Sequence, residues 1–332
     1  MAFGENVAAD ETERFQAFAA EIAAIQGARV AAGAPADRVM HVKQHAGVLG
    51  ELTITAGEGA RYGVFAEPGK SFPVYARFSN GSGMRQSDKD PDVRGFALKL
   101  VGVPGAKLIE GLENEVTQDF LFINSPVLPF RDPDEFMIFV RSAKDGPVKL
   151  LPRLISGFGL GRALGILWGS ISAKKVESFA THTFHTAAPI AFGPSAAKLA
   201  LIPRPADGAR PSVSGPDYLR ADLAERLRQG ALTWSLSAQV FVDEATTPIE
   251  NTLVEWSGPW LELATLTLPR QDLDSARGQE ISASVSGLSF DPWHTTEQHR
   301  PLGAIMRARR VTYAPSIIGR EASPEPRDVL SP

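Results

Sequence analysis

Two residues near the end of the chain have types and spacing that could support metal chemistry. Arg309 and Tyr313 are four residues apart, and on a helix this spacing brings a guanidinium group beside a phenol oxygen. Free tyrosine loses its proton only near pH ~10, so a fixed positive charge and a ferric ion are the partners that could together keep it ionised at neutral pH. Arginine stays charged at any working pH. The pair therefore predicts a tyrosinate ligand for Fe(III), and a surface ion pair beside a packed aromatic ring is the alternative.

Five short segments elsewhere in the chain resemble catalase motifs and occur in catalase order. They are residues 38–43 (RVMHVK), 75–79 (YARFS), 92–99 (DVRGFALK), 124–127 (NSPV) and 131–132 (RD). The similarity extends from about residue 36 to about residue 320 and is greatest to the short, catalase-related haem proteins. It implies an α+β fold: a catalase-like antiparallel eight-stranded β-barrel with flanking helices. It also implies that the C-terminal helical domain of full-length catalases is absent, so bound NADPH is not expected.

The resemblance implies a haem b cofactor and assigns residues to it. The residues that it places around the cofactor are Arg38, Arg77, Phe136, Pro292, Arg309, Tyr313 and Arg320. Tyr313 corresponds to the axial iron ligand, and Arg309 would hold it ionised. The other three arginines correspond to those that contact the haem propionates, a role for which the fork of a guanidinium group is well suited. Phe136 matches the aromatic residue on the haem face, and Pro292 matches a proline on the proximal side.

The same resemblance assigns the acid/base group on the opposite face of the haem. His41 matches the distal histidine, and Ser79 matches the serine that hydrogen-bonds it and sets its tautomer. A neutral imidazole there could take a proton from one oxygen of a peroxide and return it to the other. However, the glycines at positions 47–50 lie one residue further from His41 than their equivalents in catalases. His45 therefore remains an alternative distal base.

One position departs from the catalase pattern. Ile123 stands where catalases carry a distal asparagine, one residue before Asn124. Because that asparagine helps to position peroxide, we expect fast dismutation to be lost while haem binding and a slower peroxidase reaction are retained. The sequence thus predicts a haem-dependent peroxidase, or an enzyme that cleaves organic hydroperoxides such as those of fatty acids, with weak catalase activity. Its partners would be a peroxide and a small-molecule reductant, and a haem-binding sensor or store without turnover is the alternative.

Composition excludes several other classes of protein. The 332 residues include no cysteine, which removes disulfides, thiolate ligation of haem and iron–sulfur clusters. The net charge is −4 with both signs interspersed, so no basic face predicts nucleic-acid binding. The pairs His182/His185 and His294/His299 lack the companion ligands of a zinc site, and we interpret them as ordinary strand or loop histidines.

Targeting signals are not visible in the sequence. The first 32 residues lack a cationic start followed by an apolar region. The apolar stretch 150–176 is interrupted by Pro152, Arg153 and Arg162, which leaves uncharged runs shorter than the ~18 residues of a spanning helix. We expect a cytoplasmic protein without a transmembrane segment. Contact of residues 150–172 with lipid or a membrane surface stays open, as does the oligomeric state, for which a homodimer is one option.

The hydrophobic pattern predicts the elements that must position these residues. Helical spacing is expected at 8–30, 135–142, 150–172 and 304–313, and alternation predicts strands at 49–55, 61–65, 74–78, 95–101, 119–123, 232–242 and 261–268. Residues 203–216 are expected to form a surface loop. The predicted organisation is an N-terminal helical arm (1–32), a haem-binding barrel domain (33–322) and a frayed tail (323–332).

Overall fold

A computed structural model of the chain describes residues 3–330 except 34, 58, 60, 144–146, 165–175 and 206–213. The helices that position the site are α1 (Glu11–Ala31), α2 (Pro133–Ala143), α3 (Pro147–Phe158), α4 (Tyr218–Gln229), α5 (Ala276–Gly287) and α6 (Ala304–Gly319). The strands are β1 (Gln44–Ile54), β2 (Ser71–Asn80), β3 (Arg94–Val101), β4 (Thr117–Ile123), β5 (Phe184–His185), β6 (Ile190–Phe192), β7 (Ser195–Pro203), β8 (Leu232–Val240) and β9 (Leu261–Leu268).

The strands form a closed antiparallel barrel. Going round it, the order is β4, β3, β2, β1, β9, β8, β7 and β5, and the two-residue strand β5 closes the ring by pairing with both β7 and β4. Strand β6 is a ninth strand that pairs with β7 and forms an isolated bridge from Ile190 to Pro301. Closure leaves no long unpaired edge in the ring. The predicted eight-stranded barrel with flanking helices is confirmed.

Alternate side chains of each strand fill the barrel. Phe78 and Phe96 are directly paired on β2 and β3, and their ring centroids are 4.1 Å apart. Trp234 on β8 packs edge-on to Phe96 at 5.3 Å, and all three side chains are fully buried. Because successive residues of a strand point to opposite faces, the residues next to these aromatics point outward, toward the helices and the loop segments that cover the barrel.

Two helices pack together outside the barrel. Helix α1 lies along α6, with Phe15, Phe18 and Ile22 buried in a cluster that includes Ala308 of α6. The predicted helix at 8–30 thus corresponds to α1, and its apolar face covers the helix that carries Arg309. No helix in the described part of the chain is long and apolar enough to cross a membrane.

The structure differs from the predicted elements in two places. The segment Arg61–Phe65 is a loop that ends in a short 3-10 turn, because Gly63 has a φ of 56° and His299 Nε2 accepts a hydrogen bond from the Val64 backbone at 3.2 Å. The expected frayed tail is packed as far as residue 330. There, the Leu330 backbone donates to the Tyr75 hydroxyl at 2.9 Å.

Two further predictions are tested only in part. Helix α3 overlaps the predicted helix at 150–172 but begins three residues earlier, and residues 160–164 are also helical. Residues 165–172 lie outside the described residues. Most of the predicted loop at 203–216 lies outside them as well.

Candidate active site

Helix α6 holds Arg309 and Tyr313 together. Arg309 Nη2 donates a hydrogen bond to the Tyr313 hydroxyl, and the guanidinium carbon lies 5.0 Å from the centre of the tyrosine ring. Arg309 Nη1 also contacts Met306 Sδ at 3.4 Å. All three residues lie on one face of the helix because they are three or four positions apart. The arrangement places the permanent positive charge of the Arg309 guanidinium group beside the phenol oxygen of Tyr313.

A second group of cations, which we call the arginine cluster, consists of Arg38, Arg77 and Arg320. Arg38 Nη2 and Arg320 Nη2 donate to the same carbonyl, that of Leu288, at 2.6 and 2.8 Å. Arg77 Nη2 donates to the His41 carbonyl at 2.8 Å. Burial lowers the pKa of Arg38, and the neighbouring charges of Arg77 and Arg320 lower it further.

The arginine cluster has no carboxylate partner. Within the described residues none of its three side chains forms an ion pair, and the nearby Asp37 is paired instead with Arg85 at 2.9 Å. Each guanidinium group uses backbone carbonyls or an amide as acceptors, such as Gln44 Oε1, which accepts from Arg77 Nε at 3.0 Å. Partly buried cations without counter-ions favour the binding of an anion.

His41 lies between the arginine cluster and strand β2. Its Nδ1 is 3.0 Å from the Ser79 hydroxyl oxygen, and its backbone has a φ of 59°, in the left-handed region. Burial lowers the pKa of His41 to about 3, with further lowering by Arg77, Arg309 and Arg38. The imidazole is therefore neutral at neutral pH and can accept a proton. The effect of Arg309 also indicates that His41 faces the helix that carries Tyr313.

A glycine makes room for the His41 ring. A Cβ atom at Gly95 would lie 2.7 Å from two atoms of that ring and 2.9 Å from Ser79 Oγ. Any larger residue would displace the histidine or the serine. The sequence analysis quoted Gly95 only as part of a motif, although a glycine inside an alternating strand is itself a signal of close approach.

Ile123 lies on the same face of the barrel as His41. Ser79, Gly95, Ile123 and His185 are directly opposite one another across β2, β3, β4 and β5, and directly paired residues share a face of the sheet. This row of residues therefore carries Ile123 at the position that, in the sequence comparison with catalases, belongs to the distal asparagine. His185, which the sequence analysis interpreted as structural, is the last residue of this row.

His45 belongs to a different environment. Strand β1 has a bulge between Gln44 and Ala46, so His45 is the extra residue that separates His41 from the glycines. Its Nε2 is 2.7 Å from Asn80 Oδ1, and its ring packs against Phe179 at 5.2 Å. The structure therefore brings His41, but not His45, to Ser79.

Phe136 and Pro292 lie near α6 but outside the arginine cluster. Phe136 packs edge-on against Phe130 at 5.5 Å and beside the cluster of α1 and α6 side chains. Pro292 is buried in the loop before α6. Its neighbour Trp293 donates from Nε1 to the Met306 carbonyl at 2.6 Å, so this loop is hydrogen-bonded to the helix that carries Arg309.

The donor set suits a cofactor with two carboxylates and a ferric ion. The arginine cluster offers cations that form no ion pair within the described residues, and Tyr313 offers a phenol oxygen that accepts a hydrogen bond from Arg309 and could ligate a ferric ion. Among the described residues no group of three or more histidine, cysteine or acidic side chains could hold a metal ion by itself.

Comparisons with known proteins agree with this geometry. The family model of catalase matches residues 25–157. The catalase-related peroxidase of Mycolicibacterium paratuberculosis is 28% identical over 318 residues, which are 89% of this chain and 92% of that protein. A catalase of Staphylococcus epidermidis is 35% identical over 114 residues, but these cover 33% of this chain and only 20% of that catalase.

The solved structure of a fungal catalase has the same fold. Its TM-score with this chain is 0.66 at 18% sequence identity, and the match covers 86% of this chain and 59% of that one. The chain therefore spans about three fifths of that catalase, and the likeness concerns the fold. Family model, full-length relative and fold agree in their likeness to catalases and to a catalase-related peroxidase.

Proposed function

We propose that this chain is a haem-dependent peroxidase that cleaves hydrogen peroxide or organic hydroperoxides. The observation that carries the proposal is that three elements needed for this chemistry lie close together: Arg77 donates to the His41 carbonyl, and the charge of Arg309 lowers the pKa of His41. These are the Arg309–Tyr313 pair, the arginine cluster and the His41–Ser79 pair. The names of the relatives support an oxidoreductase that acts on peroxide.

Different residues would hold the iron and the propionates of the cofactor. Tyr313 would ligate the iron as a phenolate, and Arg309 would stabilise its negative charge through their hydrogen bond. Arg38, Arg77 and Arg320 would bind the two propionates, which supply the counter-ions that the arginine cluster lacks. When bound, haem b would supply a redox-active iron at which the O–O bond of a peroxide could be cleaved.

His41 moves the proton during cleavage of the peroxide. As a neutral imidazole it accepts the proton of the hydroperoxide and returns it to the leaving oxygen as the O–O bond breaks, which yields water or an alcohol. Ser79 holds the ring through Nδ1, and Gly95 leaves the space in which the ring lies. A small-molecule reductant then supplies the two electrons of the reaction.

Ile123 favours slow dismutation. It presents no hydrogen-bond donor to a second molecule of peroxide on the face that carries His41. An apolar side chain there is compatible with the hydrocarbon chain of a fatty-acid hydroperoxide. We therefore expect measurable peroxidase turnover with an added reductant, and oxygen evolution from hydrogen peroxide far below that of true catalases.

The first test is spectroscopic. The purified protein is loaded with haem, and its absorption spectrum is recorded before and after addition of hydrogen peroxide or a fatty-acid hydroperoxide. Tyr313→Phe should lose haem or lose the tyrosinate signature, whereas Tyr62→Phe, a partly buried tyrosine packed on the barrel core, should behave like the wild type. An unchanged spectrum in Tyr313→Phe would contradict the assignment of the ligand.

The second test concerns the proton. His41→Ala should slow the reaction with peroxide by about 10²-fold or more, the usual scale of general acid/base assistance, at near-normal haem content. His45→Ala is the matched control and should change this rate much less. The opposite ranking in stopped-flow mixing would assign the base to His45. Haem binding without any turnover in the wild type would favour a sensor or store.

A further inference from the structure

A fully buried lysine lies outside the barrel near α6. Lys99 of β3 has no exposed side-chain surface, and its Nζ is 2.7 Å from Asp119 Oδ1 of β4 and 2.7 Å from Glu325 Oε2. Glu325 belongs to the segment after α6, residues 320–330, which we call the C-terminal segment. We call Lys99, Asp119 and Glu325 the lysine cluster. None of its members contacts Tyr313 or the arginine cluster, so the proposed mechanism does not use them directly.

Both carboxylates of the lysine cluster also hold the loop before α6. Glu325 Oε1 accepts a hydrogen bond from the Ser289 hydroxyl at 2.6 Å, and its other oxygen accepts from the Thr117 hydroxyl at 2.7 Å. Asp119 Oδ2 accepts from the Asp291 backbone at 2.9 Å. The loop is thus fixed at residues 289 and 291 by two carboxylates that share one lysine.

The loop before α6 in turn contacts α6, the helix that carries Arg309 and Tyr313. The Trp293 backbone donates to Asp291 Oδ1 at 2.8 Å, and its indole Nε1 donates to the Met306 carbonyl at 2.6 Å. The Arg310 guanidinium lies 4.9 Å from the centre of the indole ring. Met306 Sδ contacts Arg309, the partner of Tyr313. An unbroken series of contacts therefore runs from Glu325 to the tyrosine.

The C-terminal segment is itself held in place along α5 and the start of the loop. Arg320 donates to the carbonyls of Gly287 and Leu288, and the Ser323 backbone donates to the Gly287 carbonyl at 3.0 Å. Glu325 follows two residues later and enters the lysine cluster. Its position is therefore set by backbone contacts, and its carboxylate reaches Lys99, Ser289 and Thr117.

We propose that Glu325 is a positioning residue for the tyrosinate ligand. Through Lys99 and Asp119 it fixes the loop that holds Trp293 against α6, and this fixes the side chain of Arg309 on the phenol oxygen of Tyr313. The proposal rests on the proposed function only where its test uses bound haem. A role in overall stability alone would leave the phenolate unaffected in protein that remains folded.

The test compares three variants in the full-length chain. Glu325→Ala removes all contacts of the carboxylate. Glu325→Gln keeps an acceptor for one of the two hydroxyls of Ser289 and Thr117, places an amide nitrogen at the other, and removes the charge that faces Lys99. It serves if the alanine variant does not fold. Asp328→Asn is the matched control, because it removes an exposed carboxylate from the same segment.

Two readouts are taken at a temperature well below unfolding. The first is amide hydrogen exchange in haem-free protein, for which we expect at least tenfold faster exchange over residues 289–313 in Glu325→Ala, a smaller change in Glu325→Gln and none in Asp328→Asn. The second is the resonance Raman signature of iron-bound tyrosinate in haem-loaded protein, which should weaken or shift in the same order.

The outcomes separate the two proposals. Faster exchange confined to residues 320–330, or an unchanged tyrosinate signature in folded Glu325 variants, would overturn the positioning role. If the wild type shows no tyrosinate signature, the proposed function fails, and exchange over residues 304–313 alone then decides whether Glu325 supports the helix.

Discussion

The arginine cluster and the lysine cluster are two groups of buried cations with opposite surroundings. Burial and the charges of Arg77 and Arg320 lower the pKa of Arg38, and the carboxylate of Asp37 offsets this only in part. Burial alone would also lower the pKa of Lys99, but the carboxylates of Asp119 and Glu325 raise it. The cation of the lysine cluster thus has carboxylate partners within the chain, whereas the arginine cluster forms no ion pair within the described residues and is suited to binding an anion from outside.

This difference separates a structural charge from a ligand-binding charge. Burying an ion without a partner costs several kcal/mol. Gathering three cations therefore lowers the stability of the folded protein until a bound anion offsets the cost. The arginine cluster reduces the cost by keeping its groups hydrogen-bonded to carbonyls such as that of Leu288. These bonds orient the guanidinium groups and leave their charge available.

The largest effect is expected in the lysine cluster. Lys99→Met leaves two buried carboxylates facing each other, and we expect it to lower the free energy of unfolding of the haem-free protein by about 3–5 kcal/mol. Lys70→Met, which breaks an exposed pair with Glu67, should cost less than about 1 kcal/mol. Denaturant unfolding measures both values. An equal loss of unfolding free energy in the two variants would show that Lys99 does not stabilise the buried carboxylates of Asp119 and Glu325.

A smaller and different effect is expected in the arginine cluster. Arg38→Gln should weaken haem binding about tenfold, the equivalent of one charged hydrogen bond. It should change the unfolding free energy of haem-free protein by less than about 1 kcal/mol, because relief of repulsion offsets the two lost hydrogen bonds. Haem titration measures the affinity, and Arg85→Gln, at an exposed neighbour, is the control. A loss of haem-free stability as large as that of Lys99→Met would remove the distinction between the clusters.

The smallest effect concerns the protonation of His41. Because its pKa lies at about 3 in the haem-free protein, its ring resonances should not shift between pH 5 and pH 8 in an NMR titration, and protonation should appear only toward pH ~3. Arg77→Gln removes the strongest of the neighbouring charges and should raise the pKa toward its ordinary value. A wild-type midpoint near pH ~6.5 would mean that the arginine cluster does not act on this histidine.

Local sequence patterns predicted those features of the fold and of the site that depend on a single helix or strand. Arg309 and Tyr313 meet because they lie four residues apart on a single helix. The alternation at 232–242 predicts β8, which ends at Val240, because each second residue is buried in the barrel. Such features follow from the period of one helix or strand.

Features that depend on distant partners were not predictable in this way. Arg61–Phe65 alternates like a strand, yet contacts with His299 and Leu263 hold it as a loop. The segment after residue 322 is polar and rich in proline, which is typical of a frayed end, but Glu325 pairs with a lysine 226 residues earlier. The bulge at His45 likewise depends on pairing with β2. In each case a long-range contact overrides the local pattern.

The Leu288 carbonyl that Arg38 and Arg320 share affects when the site can form as the chain is synthesised and folds. It accepts a hydrogen bond from an arginine 250 residues before it and from another 32 residues after it. Contacts between such distant parts of a chain form late, because the intervening chain must be ordered first. During synthesis the segment with His41 leaves the ribosome long before Tyr313. If the chain binds haem as proposed, capture of the cofactor should therefore follow synthesis of nearly the whole barrel.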